Sequence, residues 1–244
     1  MISVCMATYN GARFIKQQID SILPQLSADD ELIISDDGST DGTLEIINSY
    51  GDARIKVLNH SPNKIFSNHE KATANFENAL RQAKGEYIFL SDQDDIWVEN
   101  KVQICMNVLK DTDFIVHAKR RINENGEFLP ARKDDKVKLP KNWSFHLLNM
   151  KWCGCCTAFH KKLLNIALPF PQKLIGHDYW LSALALKFCS VKIIDIPLIL
   201  YRNHEGAVSQ GNRSSLLYKI SYRIKLILAV YKRGLKSRSI RYDL

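Results

Sequence analysis

The chain has 244 residues, which suits one α/β domain with a C-terminal appendage and is too short for two full enzyme domains. With 45% hydrophobic and 25% charged residues, its composition excludes intrinsic disorder, a collagen-like repeat and a disulfide-stabilised miniprotein. The formal net charge of +8 falls within residues 213–244, where nine lysines and arginines accompany one aspartate, and the neutral remainder argues against a nucleic-acid partner.

The first half of the sequence alternates short β-rich runs with helical patterns. Apolar, β-rich runs predict strands at 2–7, 31–35, 54–58, 86–91 and 113–118. Apolar residues at helical spacing predict helices at 14–23, from Thr43 onward, at 68–83 and at 99–109. This alternation is typical of parallel strands joined by crossover helices, so we expect an α/β fold with a mostly parallel sheet.

The second half begins with a polar stretch and then returns to regular patterns. A long surface loop or hairpin is expected over 119–142. Helices are expected at 143–150 and 176–188, and strands at 191–194 and 197–201. The charge distribution divides the chain into a domain at 1–212 and a basic tail at 213–244.

Two acidic clusters, Asp36-Asp37 and Asp92-Gln93-Asp94-Asp95, each follow a predicted strand directly. The carboxyl ends of parallel strands share one edge of a sheet, where ligands bind. Like charges gathered there raise carboxylate pKa values or recruit a divalent cation. Oxygen ligands favour Mg²⁺ or Mn²⁺ over zinc. Part of these aspartates are also expected to serve turns and helix N-caps.

Three segments occur in a characteristic order: ISVCMATYNG at 2–11, ISDDGSTDGT at 34–43 and GEYIFLSDQDDIW at 85–97. In these segments the sequence resembles family-two glycosyltransferases of the GT-A fold, strongly over 1–118 and more weakly to about residue 210. SDQDDIW and NFENAL look most like bacterial enzymes that add rhamnose or another single sugar to surface polysaccharide. The resemblance implies a nucleotide-sugar-binding half at 1–118 and an acceptor half at 119–212.

The resemblance implies a nucleotide pocket at the strand ends. Its expected binding residues are Thr8, Tyr9, Asn10, Asp36 and Asp37. Asp37 is expected to accept the pyrimidine N–H with Asp36 beside it, because a buried carboxylate penalises a base that lacks this donor.

The second acidic cluster corresponds to the family's acidic pair. Asp92 and Asp94 are expected to contact ribose and metal, with Asp94 as the preferred metal ligand. Asp95 either supports Asp94 or forms the N-cap of a helix that begins near Val98.

The family's catalytic base is usually an aspartate at the start of a late helix. The matching segment is GHDYW at 176–180, which makes Asp178 the expected base, although His177 replaces the usual acid. Its task is to take a proton from an acceptor hydroxyl as that oxygen attacks the anomeric carbon from the face opposite the diphosphate, which inverts the configuration. The alternative for Asp178 is a helix cap.

A late YRNH segment at 201–204 is similar to the family's Arg-x-His element. This implies that His204 completes the metal site or contacts the diphosphate and that Arg202 pairs with phosphate. The alternative is an ordinary surface loop. Two features depart from family patterns: no glycine closely follows Asn63, and the Gln-x-x-Arg-Trp element of processive synthases is absent, which favours the transfer of one sugar per encounter.

Cysteine usage bears on metal binding and compartment. Cys153 and Cys156 form a C-x-x-C pair with His160 nearby, but a structural zinc site needs four ligands, so packing against the acceptor side is favoured over zinc. The N-terminal residues lack the regions of a signal peptide, which favours a reducing cytosol. No apolar run approaches the roughly 20 residues that cross a bilayer.

The tail places most of its apolar residues on one helical face and its basic residues largely elsewhere. The apolar residues are Leu216, Leu217, Ile220, Ile224, Ile227, Leu228, Tyr231 and Leu235. This profile is typical of an interfacial helix on an anionic leaflet. The alternative is that the face packs onto the catalytic domain.

Together these patterns predict an inverting glycosyltransferase that depends on Mn²⁺ or Mg²⁺. It is expected to move one sugar from a UDP- or dTDP-sugar to a hydroxyl of a saccharide or lipid-linked saccharide, in the cytosol at the inner face of the bacterial membrane. The alternative is a nucleotide-sugar-binding module without turnover, tethered by its tail. An NAD-type oxidoreductase is disfavoured because no Gly-x-Gly-x-x-Gly follows the first strand.

Overall fold

The computed structural model describes residues 1–60, 67–149, 152–172, 174, 176–205 and 216–240. The strands are β1 (Ile2–Thr8), β2 (Glu31–Asp36), β3 (Ile55–Asn59), β4 (Tyr87–Ser91), β5 (Ile96–Trp97), β6 (Phe114–Ile122), β7 (Thr157–His160) and β8 (Val191–Arg202). The α-helices are α1 (Ile15–Ile22), α2 (Thr43–Asn48), α3 (Asn68–Gln82), α4 (Lys101–Leu109), α5 (Trp143–Asn149), α6 (Lys162–Ala167), α7 (His177–Phe188) and α8 (Leu216–Ile240). The positions after Asn63, where the sequence lacks the glycine common in the family, lie outside the described residues.

The strands form one sheet in the order β3-β2-β1-β4-β7-β6-β8-β5. The first four strands are mutually parallel, and β6 is parallel to β8. Strand β7 runs antiparallel to both β4 and β6, and β5 runs antiparallel to β8. Four of these seven pairings are parallel, so the N-terminal half is wholly parallel as expected and the C-terminal half is mixed.

The buried strands and amphipathic helices follow the sequence pattern closely. Helices cover both faces of a parallel sheet, so its strands consist of continuous apolar runs; β1 and β2 are buried along almost their whole length. In α1, Ile15, Ile19 and Ile22 share one buried face at helical spacing. Helix α3 begins with a capping box between Ser67 and Glu70.

Three elements were not predicted from the sequence: β5, β7 and α6. Each has two to six residues, too few to display a clear period. Strand β7 exists because it fits between β4 and β6, a tertiary condition that no local pattern reveals. The two strands expected at 191–194 and 197–201 are one strand, β8, with an irregular register against β6.

The polar stretch after residue 118 is anchored rather than loose. Strand β6 continues to Ile122, and the chain then turns back to a bridge between Ile122 and Phe128. Arg121 is buried in β6 and forms ion pairs with Asp134 at 2.6 Å and Asp135 at 2.5 Å. A buried guanidinium requires such partners, so these pairs tie the loop to the sheet.

Helix α8 packs on the domain and also presents an apolar face to solvent. Leu226 and Val230 are buried, and the Arg233 guanidinium donates to the carbonyl oxygens of Leu168 and Pro169. The exposed apolar residues are Ile220, Ile224, Leu228, Tyr231 and Leu235. Packing on the domain and binding to a membrane surface, the two alternatives for the tail, therefore concern two different faces of α8. Within the described residues, no helix combines the length and apolarity that a membrane crossing requires.

The backbone at Gly85, just before β4, lies in close contact with the start of β1. The Gly85 N–H donates to Ser3 Oγ at 2.7 Å, and Ser3 Oγ donates to the buried Glu31 carboxylate at 2.5 Å. A Cβ atom at Gly85 would lie 2.5 Å from the backbone nitrogen of Ser3 and 2.7 Å from the carbonyl carbon of Ile2. Position 85 therefore accepts only glycine unless β1 moves.

Gly85→Ala is expected to lower the free energy of unfolding by about 2–3 kcal/mol, because backbone rather than a flexible side chain must move. Gly126→Ala is the matched control: Gly126 has a φ of 88° and no atom within 4 Å of a built Cβ, so only the strain of the left-handed conformation applies, about 1 kcal/mol. Urea unfolding followed by circular dichroism measures both. If Gly85→Ala lost no more free energy of unfolding than Gly126→Ala, the close contact between Gly85 and β1 would be contradicted.

Candidate active site

The ends of three neighbouring strands converge at one edge of the sheet. Thr8 at the end of β1 pairs with Asp36 at the end of β2, and Ser91 at the end of β4 pairs with Met6. The loops that follow these strands carry both acidic clusters. The chain passes from β1 to β2 on one side of β1, and later from β3 to β4 on its other side. A crevice opens where the strand order reverses in this way, and ligands usually bind there in such sheets. The predicted shared edge is thus present.

In the first acidic cluster, the two carboxylates have different surroundings. The Asp36 carboxylate is buried and accepts the Ser39 N–H at 2.9 Å, so it closes the turn after β2. The Asp37 carboxylate lies 3.0 Å from His60 Nδ1, and its backbone N–H donates to the carbonyl oxygen of Thr8. Asp36 thus has a turn-forming role, and its expected contact with nucleotide stays a prediction. Asp37 keeps its predicted role as a candidate.

The loop after β1 contains one buried and two more accessible candidates. Thr8 is buried, with its Oγ1 donating to the Ser35 carbonyl at 3.4 Å, and its place in the lining of the nucleotide pocket stays a prediction. Tyr9 is 54% exposed. Asn10 has a φ of 48°, and its Oδ1 accepts the Thr40 N–H at 2.9 Å. Tyr9 and Asn10 therefore present themselves to the crevice better than Thr8 does.

Gln93 joins the β1 and β4 loops, a role that the sequence analysis missed. Its Oε1 accepts the Tyr9 N–H at 2.9 Å, and its Nε2 donates to the Tyr9 carbonyl at 3.1 Å. It also packs so closely on Gly11 that a Cβ there would collide with it. Only an amide side chain can both donate and accept in this way. The signal available in the sequence was the position of Gln93, an amide between the carboxylates of Asp92 and Asp94.

Asp94 and His204 meet, as the sequence analysis predicted. His204 Nε2 lies 2.7 Å from Asp94 Oδ2, although 110 residues separate them. The hydrogen bond with Asp94 raises the pKa of His204. Both side chains are largely buried, so the pair is a carboxylate–imidazole site at the end of β8.

Asp92 and Asp95 carry negative charge that the surrounding residues compensate only in part. Burial, followed by the charge of Asp94, raises the pKa of Asp92 to about 7. The same two causes raise the pKa of Asp95 well above its usual value. Asp95 Oδ1 accepts the Arg202 N–H at 2.9 Å, whereas Oδ2 is buried without a partner among the described residues. Asp95 is not a helix N-cap, because α4 begins at Lys101.

Arg202 supports this cluster from inside the protein. Its guanidinium donates to Gln17 Oε1 and to the carbonyl oxygens of Asp94, Asn123 and Glu124, at 2.8 to 3.4 Å. The residue is 3% exposed. Through these contacts Arg202 holds the loop that carries Asp94, and its expected pairing with phosphate stays a prediction.

Asp178 lies in the first turn of α7, as expected for the base. Its Oδ1 accepts the Tyr179 N–H at 2.9 Å. Burial raises the pKa of Asp178 to about 7, and its charge in turn contributes to the raised pKa of Asp92. The second half of the chain thus brings a protonatable carboxylate to the acidic cluster.

His177 occupies the position of the usual family acid and is buried. Its ring stacks on Phe76 with centroids 3.8 Å apart, and Nε2 is buried without a partner among the described residues. Burial lowers the pKa of His177 to about 3, so the ring is neutral. The substitution therefore removes a negative charge beside Asp178 and fills the space with a flat apolar contact.

The cysteine segment forms part of the floor of the cleft. Cys155 Sγ lies within 4.8 Å of carboxylate oxygens of Asp92 and Asp95, and the Cys155 carbonyl accepts a hydrogen bond from the buried Lys101 Nζ at 3.0 Å. Across the described residues, the only close group of three candidate metal ligands is Asp92, Asp95 and Cys155. His160 instead lies 3.3 Å from Glu86. The preference for packing over zinc fits this arrangement.

Comparisons with known proteins identify the family. The model of glycosyl transferase family 2 matches residues 3–165. UDP-Glc:alpha-D-GlcNAc-diphosphoundecaprenol beta-1,3-glucosyltransferase WfgD of Escherichia coli is 31% identical over 226 residues, 88% of this chain and 82% of WfgD. The dTDP-rhamnosyl transferase RfbG of Shigella flexneri is 29% identical over 230 residues, 89% of this chain and 77% of RfbG.

Solved structures share the architecture. TarS 1-349 of S. aureus, in complex with UDP-GlcNAc, matches with a TM-score of 0.71 at 18% identity, covering 93% of this chain and 66% of that one. Glucosyl-3-phosphoglycerate synthase from Mycobacterium tuberculosis, in complex with Mn²⁺, UDP and glucosyl-3-phosphoglycerate, matches with a TM-score of 0.57 at 20% identity, covering 96% and 79%. The chain therefore belongs to glycosyl transferase family 2, and the glycosyltransferase class and GT-A fold expected from its three sequence segments are confirmed.

Proposed function

We propose that this chain is an inverting glycosyltransferase that moves one sugar from a UDP- or dTDP-sugar to a hydroxyl of a saccharide or lipid-linked saccharide. The observation that carries the proposal is the meeting of Asp92, Asp94 and Asp178 at one edge of the sheet. The names of WfgD and RfbG, which contain UDP-Glc with a diphosphoundecaprenol-linked saccharide and dTDP-rhamnose, support this substrate class.

The proposed division of labour follows the chain. Residues 1–118 form the donor half, 119–212 the acceptor half and 213–244 the basic tail. In the donor half, Asp37 is the proposed acceptor for the pyrimidine N–H, while Tyr9 and Asn10 line the nucleotide side. The halves interlock, because His204 of the second half contacts Asp94 of the first.

Asp94 and His204 are the proposed ligands of a divalent cation. Their oxygen and imidazole nitrogen are 2.7 Å apart, and neighbouring Asp92 and Asp95 have pKa values raised by burial and by mutual negative charge. A donor set of carboxylates with one imidazole suits Mn²⁺ or Mg²⁺, and the Mn²⁺ in the M. tuberculosis synthase supports this. When bound, the cation supplies positive charge for the departing diphosphate.

Asp178 is the proposed base. Its carboxylate takes the proton of the acceptor hydroxyl while that oxygen bonds to the anomeric carbon and the bond to the diphosphate oxygen breaks on the opposite face. A base with a pKa of about 7 is half ionised at neutral pH and still binds the proton it receives. The neutral His177 beside it leaves this pKa under the control of burial.

Asp94→Ala is expected to remove the Mn²⁺-dependent part of UDP binding, because one of two proposed ligands is lost. The apparent affinity for UDP in the presence of Mn²⁺ should fall at least about tenfold, measured by thermal shift and isothermal titration. Asp29→Ala, which alters an exposed aspartate, is the control. Unchanged Mn²⁺-stimulated affinity in Asp94→Ala would refute the ligand assignment.

Asp178→Asn is expected to slow sugar transfer by about 10² to 10⁴-fold while changing UDP affinity little, because the amide cannot accept the proton. The wild-type rate should rise with pH, reach half of its maximum near pH 7 and level off at higher pH, since only the ionised carboxylate acts and its raised pKa sets the midpoint. Transfer from UDP-glucose to a GlcNAc-diphospholipid measures both. A variant that retains wild-type transfer would exclude Asp178 as the base.

The tail is proposed to bind an anionic membrane surface, at the inner face of the bacterial cytoplasmic membrane. Ile220, Ile224, Leu228 and Leu235 form an exposed apolar row along α8. Basic residues flank this row, as an interfacial helix on anionic lipid requires. The opposite face is already occupied by the domain, so the helix has a fixed side to present.

The double variant Ile224→Glu/Leu228→Glu is expected to lower binding to phosphatidylglycerol vesicles at least about tenfold, because two exposed apolar side chains that would enter the lipid are replaced by negative charges that the anionic lipid repels. Leu139→Glu, at an exposed leucine outside α8, is the control. Vesicle sedimentation with and without salt measures both. If the double variant bound as well as the wild type, α8 would not be the membrane contact.

A further inference from the structure

We propose that Cys153 and Cys156 form a modification site: a dithiol that closes reversibly to a disulfide and slows sugar transfer when it is closed. The effect on transfer rests on the proposed function, whereas the thiol chemistry does not.

The backbone between the two cysteines holds them at disulfide spacing. A 3₁₀ turn spans Gly154–Cys156, and the Cys156 N–H donates to the Cys153 carbonyl at 3.1 Å. Residues three apart in such a turn lie on the same side, with Cα atoms closer than about 7 Å. This is the range that a disulfide accepts.

An ammonium group lies beside the pair. Lys119 Nζ lies 3.0 Å from Cys153 Sγ, and the pair lines a small cavity of about 10 Å³ together with His117 and Lys119. Hydrogen bonding with the thiols of Cys153 and Cys155 lowers the pKa of Cys156, aided by the charge of Lys119. Thiolates near cations are the reactive form of cysteine.

The other buried cysteines lack these features. Burial raises the pKa of Cys5 above its usual range and that of Cys105 to about 12. Neither is near a second thiol in the sequence. A metal role for the pair is also unsupported, because the one close ligand group of the described residues excludes both Cys153 and Cys156. Among the cysteines, this pair alone combines a partner thiol, an adjacent ammonium and a cavity.

The turn between the cysteines contacts both sides of the proposed reaction centre. A Cβ atom at Gly154 would lie 2.5 Å from His177 Nε2 and 3.5 Å from Asp178 Cβ, so the turn abuts the start of α7. Cys155 Sγ lies within 4.8 Å of a carboxylate oxygen of Asp92. Closing the disulfide tightens the turn, which moves the base and the acidic cluster relative to each other. Displacements of about 1 Å at a reaction centre cost up to about 10²-fold in rate.

With hydrogen peroxide as oxidant, the step balances. The Cys156 thiolate attacks one peroxide oxygen, the O–O bond breaks, and the released hydroxide takes a proton to become water. The Cys153 thiol then attacks the resulting sulfenic sulfur, its proton leaves with the sulfenic oxygen as a second water, and the S–S bond forms. Two thiols are oxidised to one disulfide and one peroxide is reduced to two waters.

Differential alkylation before and after a peroxide pulse tests the proposal on the full-length protein. Trypsin releases residues 152–161 as one peptide that contains Cys153, Cys155 and Cys156. We expect this peptide to lose two hydrogen atoms through a Cys153–Cys156 bond that dithiothreitol reverses. Cys153→Ser should abolish the bond, and Cys189→Ser, at a partly exposed cysteine elsewhere, should retain it.

Transfer measured on the same samples should fall at least about tenfold on oxidation and recover on reduction in the wild type, but not change in Cys153→Ser. A peptide that stays reduced at doses that oxidise Cys189, a bond that uses Cys155, or stoichiometric zinc on the thiols would overturn the site. A disulfide with no change in rate would overturn its effect on transfer. If the reduced protein transferred no sugar, the proposed function would fail, and the peptide map would still decide the disulfide.

Discussion

The negative charge gathered after β4 is the constraint on which the rest of the site depends. Asp92, Asp94 and Asp95 lie within four residues, and burial would be very costly for three ionised carboxylates without counter-charges. The protein responds with protonation equilibria shifted upward, an imidazole on Asp94 and a guanidinium behind the loop. The negative charge of the cluster is therefore only partly compensated, which favours the binding of a cation.

Most of the fold and part of the site could be predicted from sequence for a physical reason. Strands buried on both faces and helices with one apolar face leave local patterns, and β1, β2, β4, α1 and α3 show them. The carboxyl ends of parallel strands necessarily share an edge, so Asp37 and Asp94 could be placed together without coordinates. The family resemblance supplied Asp178 and His204, which no periodicity would have found.

What could not be predicted depends on tertiary partners. Strand β7 is four residues long and is defined by its neighbours rather than by its own sequence. The acceptors of Arg202 and the burial of Thr8 and Asp36 likewise depend on segments that are distant in the sequence. The tail pattern was correct in its amphipathic character, but only the packed structure shows that Leu226 and Val230 anchor the helix while another row faces outward.

The position of β8 has a consequence for biosynthesis. This strand is the last of those in the described residues, yet it lies inside the sheet between β6 and β5 and brings Arg202 and His204 to a loop that lies about a hundred residues earlier in the sequence. A ribosome releases the chain from its N-terminus, so a nascent polypeptide can assemble the nucleotide side long before its acidic loop has a cationic partner. The acidic loop therefore gains His204 and Arg202 only after β8 has been synthesised.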